Sequence, residues 1–409
     1  MACQALIYKT KSVTTAGEGM LGNNDLRIRH VETFLVDAHD RTWVFVKVQT
    51  EEPGLYGWGE ASLTAPRAVA GAVADLAELI VGQDASRTAH LWQTMFRQLF
   101  YKGGVVTMSA ISGIEQALWD IKAKALGVPL YEMLGGRVRD RVRAYDHLIR
   151  WMLGLDWNLP EAWAEAARRS VNDGFDAIKI YPVPPGRPLE GRAAVDEAVR
   201  FTSAVRGAVG DEVDLLIDMH GRTSPHMAIL YADALAPFRP MFLEEPCQPE
   251  FAAATRTVSR ASHIPIATGE RLTNRWEFRT ILEQLGCAVV QPDACNCGGI
   301  SEFLRIAADA ETHFVSVAPH NPSGPVATAT TVHLSLVIPN LLIMEQLRED
   351  VPWRNELVDT PLVPKDGHFD LPSGPGIGVD VIEEVARAHP FQPRAPYRSY
   401  APDGAVIDD

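Results

Sequence analysis

Three short apolar runs, DLLIDMH (214–220), MFLEEP (241–246) and IPIATGE (264–270), deliver Asp218, Glu244 and Glu270 at equal intervals of 26 residues. That interval fits one strand, one helix and two loops. A chain repeating such a unit lays its strands parallel and brings each carboxylate to the same rim. Singly, each acid reads as a cap on the helix that follows it. As an equally spaced set they converge, and three converging carboxylates repel one another unless a cation lies between them. An all-oxygen donor set suits a hard ion, above all Mg²⁺.

The alternation extends beyond these three units. From about Val142, candidate strands fall at 142–147, 176–181, 213–218, 241–244, 264–268, 288–291, 314–317 and 341–345. Amphipathic stretches at 161–170, 194–208, 225–236, 275–285, 300–311 and 324–336 separate most of them. Eight such strands predict an α/β fold of the (β/α)₈ barrel type. An open doubly wound sheet is the alternative, but no G-x-G-x-x-G follows a strand. The first third differs: strands at 31–38 and 42–49, a short third strand at Tyr56-Gly57-Trp58-Gly59, then helices. The clearest helix runs over 109–125, with Ile111, Ile114, Leu118, Ile121 and Ala125 on one face. The predicted organisation is an α+β capping domain over 1–136, the barrel over 137–352, and a Pro- and Gly-rich segment over 353–409 that packs back on the capping domain.

A net charge of −14 argues against a nucleic-acid partner and an anionic membrane surface, though a bound cation would still admit an anionic substrate. No apolar run reaches the length of a membrane span, and the N-terminus lacks a signal-peptide pattern. Five irregularly spaced cysteines (Cys3, Cys247, Cys287, Cys295, Cys297) favour a reducing compartment, so a cytoplasmic protein is expected. The Cys295-x-Cys297 pair has no further ligands nearby and reads as a loop.

Barrel active sites lie at the C-terminal ends of the strands. Those ends supply Lys179-Ile180-Tyr181, Asp218-Met219-His220, Glu244, Glu270, Asp293, His320 and Glu345. Strand alternation predicts Asp218 and His220 on one face, with Met219 turned away. Asp293 and His320 fall on adjacent strands, and a carboxylate beside an imidazole fixes its tautomer and raises its basicity. One cation, one base and a second imidazole as acid suit removal of a proton beside a carboxylate, followed by loss of a β-hydroxyl. Lys179, Tyr181, His147, Arg271 and Asn321 are further candidates for touching substrate; for each, a structural role fits about as well. Glu245 reads as a supporting acid, and Trp58 and Trp119 as core or domain-interface residues.

The pattern resembles the enolase superfamily, in its mandelate-racemase-like branch, and within it the acid-sugar dehydratases of the galactonate dehydratase kind. The resemblance spans about 30–385. It is carried by SAISGIEQALWDIKAKALGVPLYEMLGG (109–136), IDMHGR (217–222), FLEEP (242–246), ATGERL (267–272), QPDACNCGG (291–299), VAPHNPSGP (317–325) and EQ (345–346). It implies that Asp218, Glu244 and Glu270 ligate Mg²⁺. It further implies that His320, paired with Asp293, abstracts the C2 proton of a sugar acid. His220 would protonate the departing 3-hydroxyl, and Glu345 would hydrogen-bond the substrate near its carboxylate. The product would be a 2-keto-3-deoxy sugar acid. A homo-oligomer is implied, as is a covering loop near Met20–Asp25.

Two departures bear on the substrate rather than the reaction. Relatives that racemise carry K-x-K on the second strand, where this chain has Tyr181; galactonate dehydratases are expected to have asparagine there. Tyr145-Asp146-His147 on the first strand is similar to the mannonate dehydratase relatives. Mannonate, gluconate or a pentonate is therefore an alternative substrate. Epimerisation of a 2-hydroxy acid would need Lys179, Tyr181 or His220 as a second base. A non-catalytic relative would be expected to lack ligands or base, and this chain has both.

Overall fold

The computed structural model describes residues 25–62, 65–148, 153–394 and 399–408. Of the segment expected to cover the site, all but Asp25 lies outside the described residues.

The chain opens with an antiparallel meander of β1 (Ile28–Ala38), β2 (Arg41–Thr50) and β3 (Tyr56–Glu60), in register Val36↔Trp43 and Phe45↔Glu60. Alternation in FLVDA buries Phe34, Val36 and Ala38 on one face. Helices α1 (Pro66–Ile80), α2 (Thr88–Arg97), α3 (Val105–Leu126) and the single turn α4 (Leu130–Met133) follow. Gly127 ends α3 in the left-handed conformation (φ 68°), where its N–H reaches the Ala123 and Lys124 carbonyls.

The apolar stripe of α3 packs on the meander, and its other face is buried too. Ser109, Ser112, Glu115, Gln116 and Asp120 are all sequestered: Ser112 meets Gly298, Glu115 meets Ile300 and Ser301, Gln116 meets Glu60 and Ala294, and Asp120 meets Trp58 and Ile377. Strand β3 lies against α3 at glycine distance. A Cβ on Gly57 would stand 2.1 Å from the Ala117 oxygen, and one on Gly59 2.0 Å from that of Gly113.

The barrel is formed by β4 (Val142–His147), α5 (Pro160–Asn172), β5 (Ala177–Ile180), α6 (Arg192–Val209), β6 (Asp214–Asp218), α7 (Pro225–Leu235), β7 (Phe242–Glu244) and α8 (Ala252–Ala261). It continues through β8 (Ile266–Thr268), α9 (Arg275–Glu283), β9 (Val289–Val290), α10 (Ile300–Thr312), β10 (Ser316–Val317), α11 (Pro325–Val337) and β11 (Met344–Gln346). These strands pair in parallel from β4 round to β10, with β11 beside β4. The Val317 N–H donates to Asn340 O (2.9 Å) and Leu342 N–H to Val317 O (2.8 Å), which closes the ring between β10 and β11. All eight expected strands are present within a few residues. Helix α8 was not anticipated: AAATRTVSRA buries only Thr255 and Val258, too little for an apolar stripe to stand out.

A floor of side chains fills the barrel: Tyr145, Ala177, Leu216, Phe242, Ala267, Val289, Ala318 and Ile343. Two residues further along the same strands or strand ends stand His147, Lys179, Asp218, Glu244, His320 and Glu345. The strand period of two therefore stacks the polar rim directly on the apolar floor.

The C-terminal segment crosses the bottom of the barrel before it reaches the capping domain. Strand β12 (His368–Phe369) pairs antiparallel with β4, then Gly376 bridges Pro129. The turn α12 (Glu383–Ala388) lies on β1, and Lys47 of β2 pairs with Glu383 at 2.6 Å. The Asp37 N–H donates to His389 O.

Candidate active site

Asp218 and Glu244 are direct partners in the β6–β7 register, and Glu270 follows β8. One carboxylate oxygen from each of the three lies within 4.8 Å of the others. Burial, together with the charges of neighbouring carboxylates, holds all three carboxyls above the usual carboxylate range. The buried Oε2 of Glu244 has no hydrogen-bond partner among the described residues. An orphaned anionic oxygen beside two more converging carboxylates is the donor set of a hard divalent cation, and the site fits one.

Lys179 is completely buried. Its ammonium lies 2.8 Å from Glu244 Oε1, 2.7 Å from Glu345 Oε1 and 3.7 Å from Asp218 Oδ2. Burial disfavours the ammonium, but the Glu244 and Glu345 charges outweigh it and hold its pKa well above the ordinary lysine value. The opposite carboxylate oxygen of Glu345 accepts the Asn321 N–H at 2.8 Å.

His320 stands between carboxylates. Its Nδ1 is 2.8 Å from Asp293 Oδ2, and its Nε2 is 3.3 Å from Glu270 and 3.9 Å from Glu345. Asp293 is itself oriented, since its Oδ1 accepts the Cys295 N–H at 2.7 Å. This geometry fixes Nδ1 as a protonated nitrogen and turns Nε2 toward the carboxylate cluster. Burial lowers the imidazole pKa, but Glu270, Glu345 and Asp293 together raise it to about 10. A divalent charge among the carboxylates acts against that rise.

His220 reaches the rim by a route other than strand alternation. Strand β6 ends at Asp218, and His220 adopts φ 55°, a left-handed turn in which its N–H donates to Asp218 Oδ1 at 2.7 Å. Met219 is buried in the layer between barrel and helices. The His220 ring stands edge-on to Tyr181, centroids 5.9 Å apart. Tyr181 in turn shares a hydrogen bond between its hydroxyl and His147 Nε2. Burial pushes the His147 pKa down to about 3, so this imidazole is neutral.

Arg271 and Asn321 border the rim with their donors held by protein. The Arg271 guanidinium binds Glu245 (3.1 Å) and Gln248 (2.7 Å), and the Asn321 amide reaches Glu345 O and Thr328 Oγ1, both at 3.3 Å. Glu245 is buried and also accepts Thr268 Oγ1–H and Gly269 N–H, at 2.7 and 2.8 Å.

A residue not singled out from sequence also arrives here. Arg41, at the tip of the β1–β2 hairpin, donates from Nη1 to Pro322 O at 2.6 Å. The turn H-D-R marks the hairpin, but nothing in it reveals which part of the barrel it will overhang.

Residues 162–385 match the family model described as enolase C-terminal domain-like, and 23–135 match the mandelate racemase / muconate lactonizing enzyme N-terminal domain. The chain belongs to the enolase superfamily. Within it lies the mandelate racemase/muconate lactonizing enzyme family, whose two domains account for the architecture above. The chain is 39% identical to the D-galactonate dehydratase of Pectobacterium atrosepticum, covering 90% of this chain and 96% of that one. It is 41% identical to that of Ralstonia nicotianae, covering 84% and 90%. Among solved structures, a mandelate racemase/muconate lactonizing enzyme from Sulfitobacter superposes with a TM-score of 0.85 at 33% identity, covering 90% of this chain and 96% of that one. An enolase-superfamily member from Salmonella Typhimurium superposes at 0.83 and 33%, covering 89% and 98%. As an enolase-superfamily chain with these relatives, the protein is an enzyme. Among the described residues, no helix is long and apolar enough to cross a membrane.

Proposed function

We propose that this enzyme is a hydro-lyase acting on a sugar acid, an aldonate of the galactonate type, and that it releases the 2-keto-3-deoxy acid. The observation that carries the reading is the His320–Asp293 pair, with Nε2 turned toward three converging carboxylates. The names of the dehydratase relatives support the substrate class.

Asp218, Glu244 and Glu270 would hold Mg²⁺. When bound, the ion supplies Lewis-acid stabilisation of the negative charge that develops at the substrate carboxylate. His320 Nε2 accepts the C2 proton as the C2–H bond breaks, while Asp293 keeps Nδ1 protonated and in line. The C3–O bond then breaks with a proton from His220, water leaves, and the enol tautomerises to the ketone. Glu345, fixed by Lys179 and the Asn321 N–H, hydrogen-bonds the substrate near its carboxylate. Lys179, Tyr181 and His147 form the wall on the β4–β5 side that the sugar hydroxyls meet, and Arg271 and Asn321 border the same opening. The working enzyme is read as a cytoplasmic homo-oligomer.

The test is a screen of the purified enzyme with Mg²⁺ against a library of aldonates and pentonates, detecting 2-keto acid. Product that disappears with EDTA supports the reading and names the substrate. Solvent deuterium entering recovered substrate without any keto acid would replace it with epimerisation.

A further inference from the structure

We propose that Glu60 and Gln116 of the capping domain are positioning residues for the His320–Asp293 pair. The inference rests on the proposed role of that pair as the base.

Glu60 closes β3 and is fully buried. Its Oε1 accepts the Gly324 N–H at 2.6 Å and its Oε2 the Ala327 N–H at 2.8 Å. It thus supplies, from another domain, the acceptors that the first turn of α11 lacks; Gly324, its N-cap, has no side chain to offer. Gly324 lies four residues after His320, and a Cβ there would stand 2.8 Å from the Glu60 carboxylate. The loop between is fastened at consecutive carbonyls as well: Pro322 O by Arg41 and Ser323 O by Arg354 (2.8 Å).

Gln116, also fully buried, ties this contact to the other half of the pair. Its Oε1 accepts the Glu60 N–H (3.1 Å), and its Nε2 donates both to Glu60 O (2.9 Å) and to Ala294 O (2.8 Å). Ala294 is the residue after Asp293. One side chain therefore links the Glu60 backbone to the Asp293 loop, while the Glu60 carboxylate holds the loop of His320. Asp293 comes from the loop after β9 and His320 from the loop after β10, strands of only two residues each. Such short strands leave most of the spacing between the two loops to contacts outside the sheet. A structural anchor between domains could land anywhere on the barrel rim; these bonds land one and four residues from the two members of the pair.

The experiment compares Glu60→Gln and Gln116→Met with a stability control, Val73→Ala, which truncates a buried side chain of α1 remote from both loops. D-galactonate with Mg²⁺ is the probe for turnover. The imidazole of His320 is followed independently in ¹⁵N-histidine-labelled enzyme, assigned by its loss in His320→Asn. Both variants are expected to lose kcat by about 10- to 100-fold with KM within about threefold, the cost of a sub-ångström to ångström misplacement. The protonated Nδ1 signal should shift or broaden in both, whereas Val73→Ala should keep kcat and signal at a comparable loss of thermal stability. An unaltered His320 signal in either folded variant overturns the proposal, as does a kcat loss no greater than that of Val73→Ala. Should Glu60→Gln fail to fold, Gln116→Met decides alone, since it leaves the carboxylate in place. If His320→Asn itself turned over at the normal rate, the functional reading would fall while the imidazole signal still reported on positioning.

Discussion

His320 and His220 differ in what holds them, and that difference predicts different consequences of losing each. His320 is oriented through Nδ1 by Asp293 and faces Glu270 and Glu345 with Nε2. Removing it takes away the group that accepts the C2 proton, so His320→Asn should reduce both elimination and exchange of the C2 proton with solvent by about 10²–10⁴-fold. Exchange that survives in D₂O would show that another group is the base. His220 hangs from a left-handed turn beside Asp218 and edge-on to Tyr181. His220→Asn should slow departure of the hydroxyl far more than it slows C2 exchange, read by mass spectrometry of recovered substrate beside keto-acid yield. Equal losses in the two readouts would remove His220 from the acid role.

At the level of elements, the sequence announces the barrel through spacing and leaves its coupling to the capping domain hidden. Asp218, Glu244, Glu270, Asp293, His320 and Glu345 were all readable, because each closes an apolar run and the runs repeat. Glu60, Gln116 and Glu115 were not, since a lone acid or amide in a helix or strand carries no periodic signal. Their partners are backbone N–H and C=O groups, which every residue has. Glu115, for example, accepts the Ile300 and Ser301 N–H groups at 2.7 and 3.1 Å, capping α10 as Glu60 caps α11. The turn at His220 escaped for a related reason: strand alternation foretold the shared face, but not that β6 stops at Asp218. The β3–α3 contact sets how far Glu60 reaches, and its glycines make that testable. Gly59→Ala would press a methyl into the Gly113 carbonyl and should cost about 1–3 kcal/mol in denaturant unfolding. It should also lower kcat, because β3 must move away from α3 and carry Glu60 out of its place against α11. A folded Gly59→Ala enzyme of unchanged stability would mean that the two elements separate freely.

Across the whole molecule, capping domain, barrel and C-terminal segment meet at His333 on α11. Its Nδ1 accepts the Tyr131 N–H at 3.1 Å and its Nε2–H donates to Ile377 O at 3.2 Å, a pairing that requires the neutral ring. Burial pushes its pKa down to about 4 from an ordinary 6.5. Between those values the unfolded chain binds a proton that the folded chain refuses, so stability falls as pH falls, by at most about 1.4 kcal/mol per pH unit. Glu60 and Glu115 act in the opposite sense. Burial raises both to about 7, so from pH 7 down to about 4.5 the folded protein holds protons that the unfolded chain releases, and stability rises. The net curve of the native enzyme mixes these limbs, and replacing the imidazole separates them. His333→Asn should be less stable at pH 7, where the three-way junction loses its ring. The gap from the native enzyme should then narrow steadily as pH falls from 6.5 toward 4, by on the order of 3 kcal/mol if the junction otherwise holds. Denaturant unfolding at pH 7, 6 and 5 measures that gap directly. A gap that stays constant across those pH values would mean that His333 takes up its proton in the folded state, and that the junction of the three segments opens to admit it.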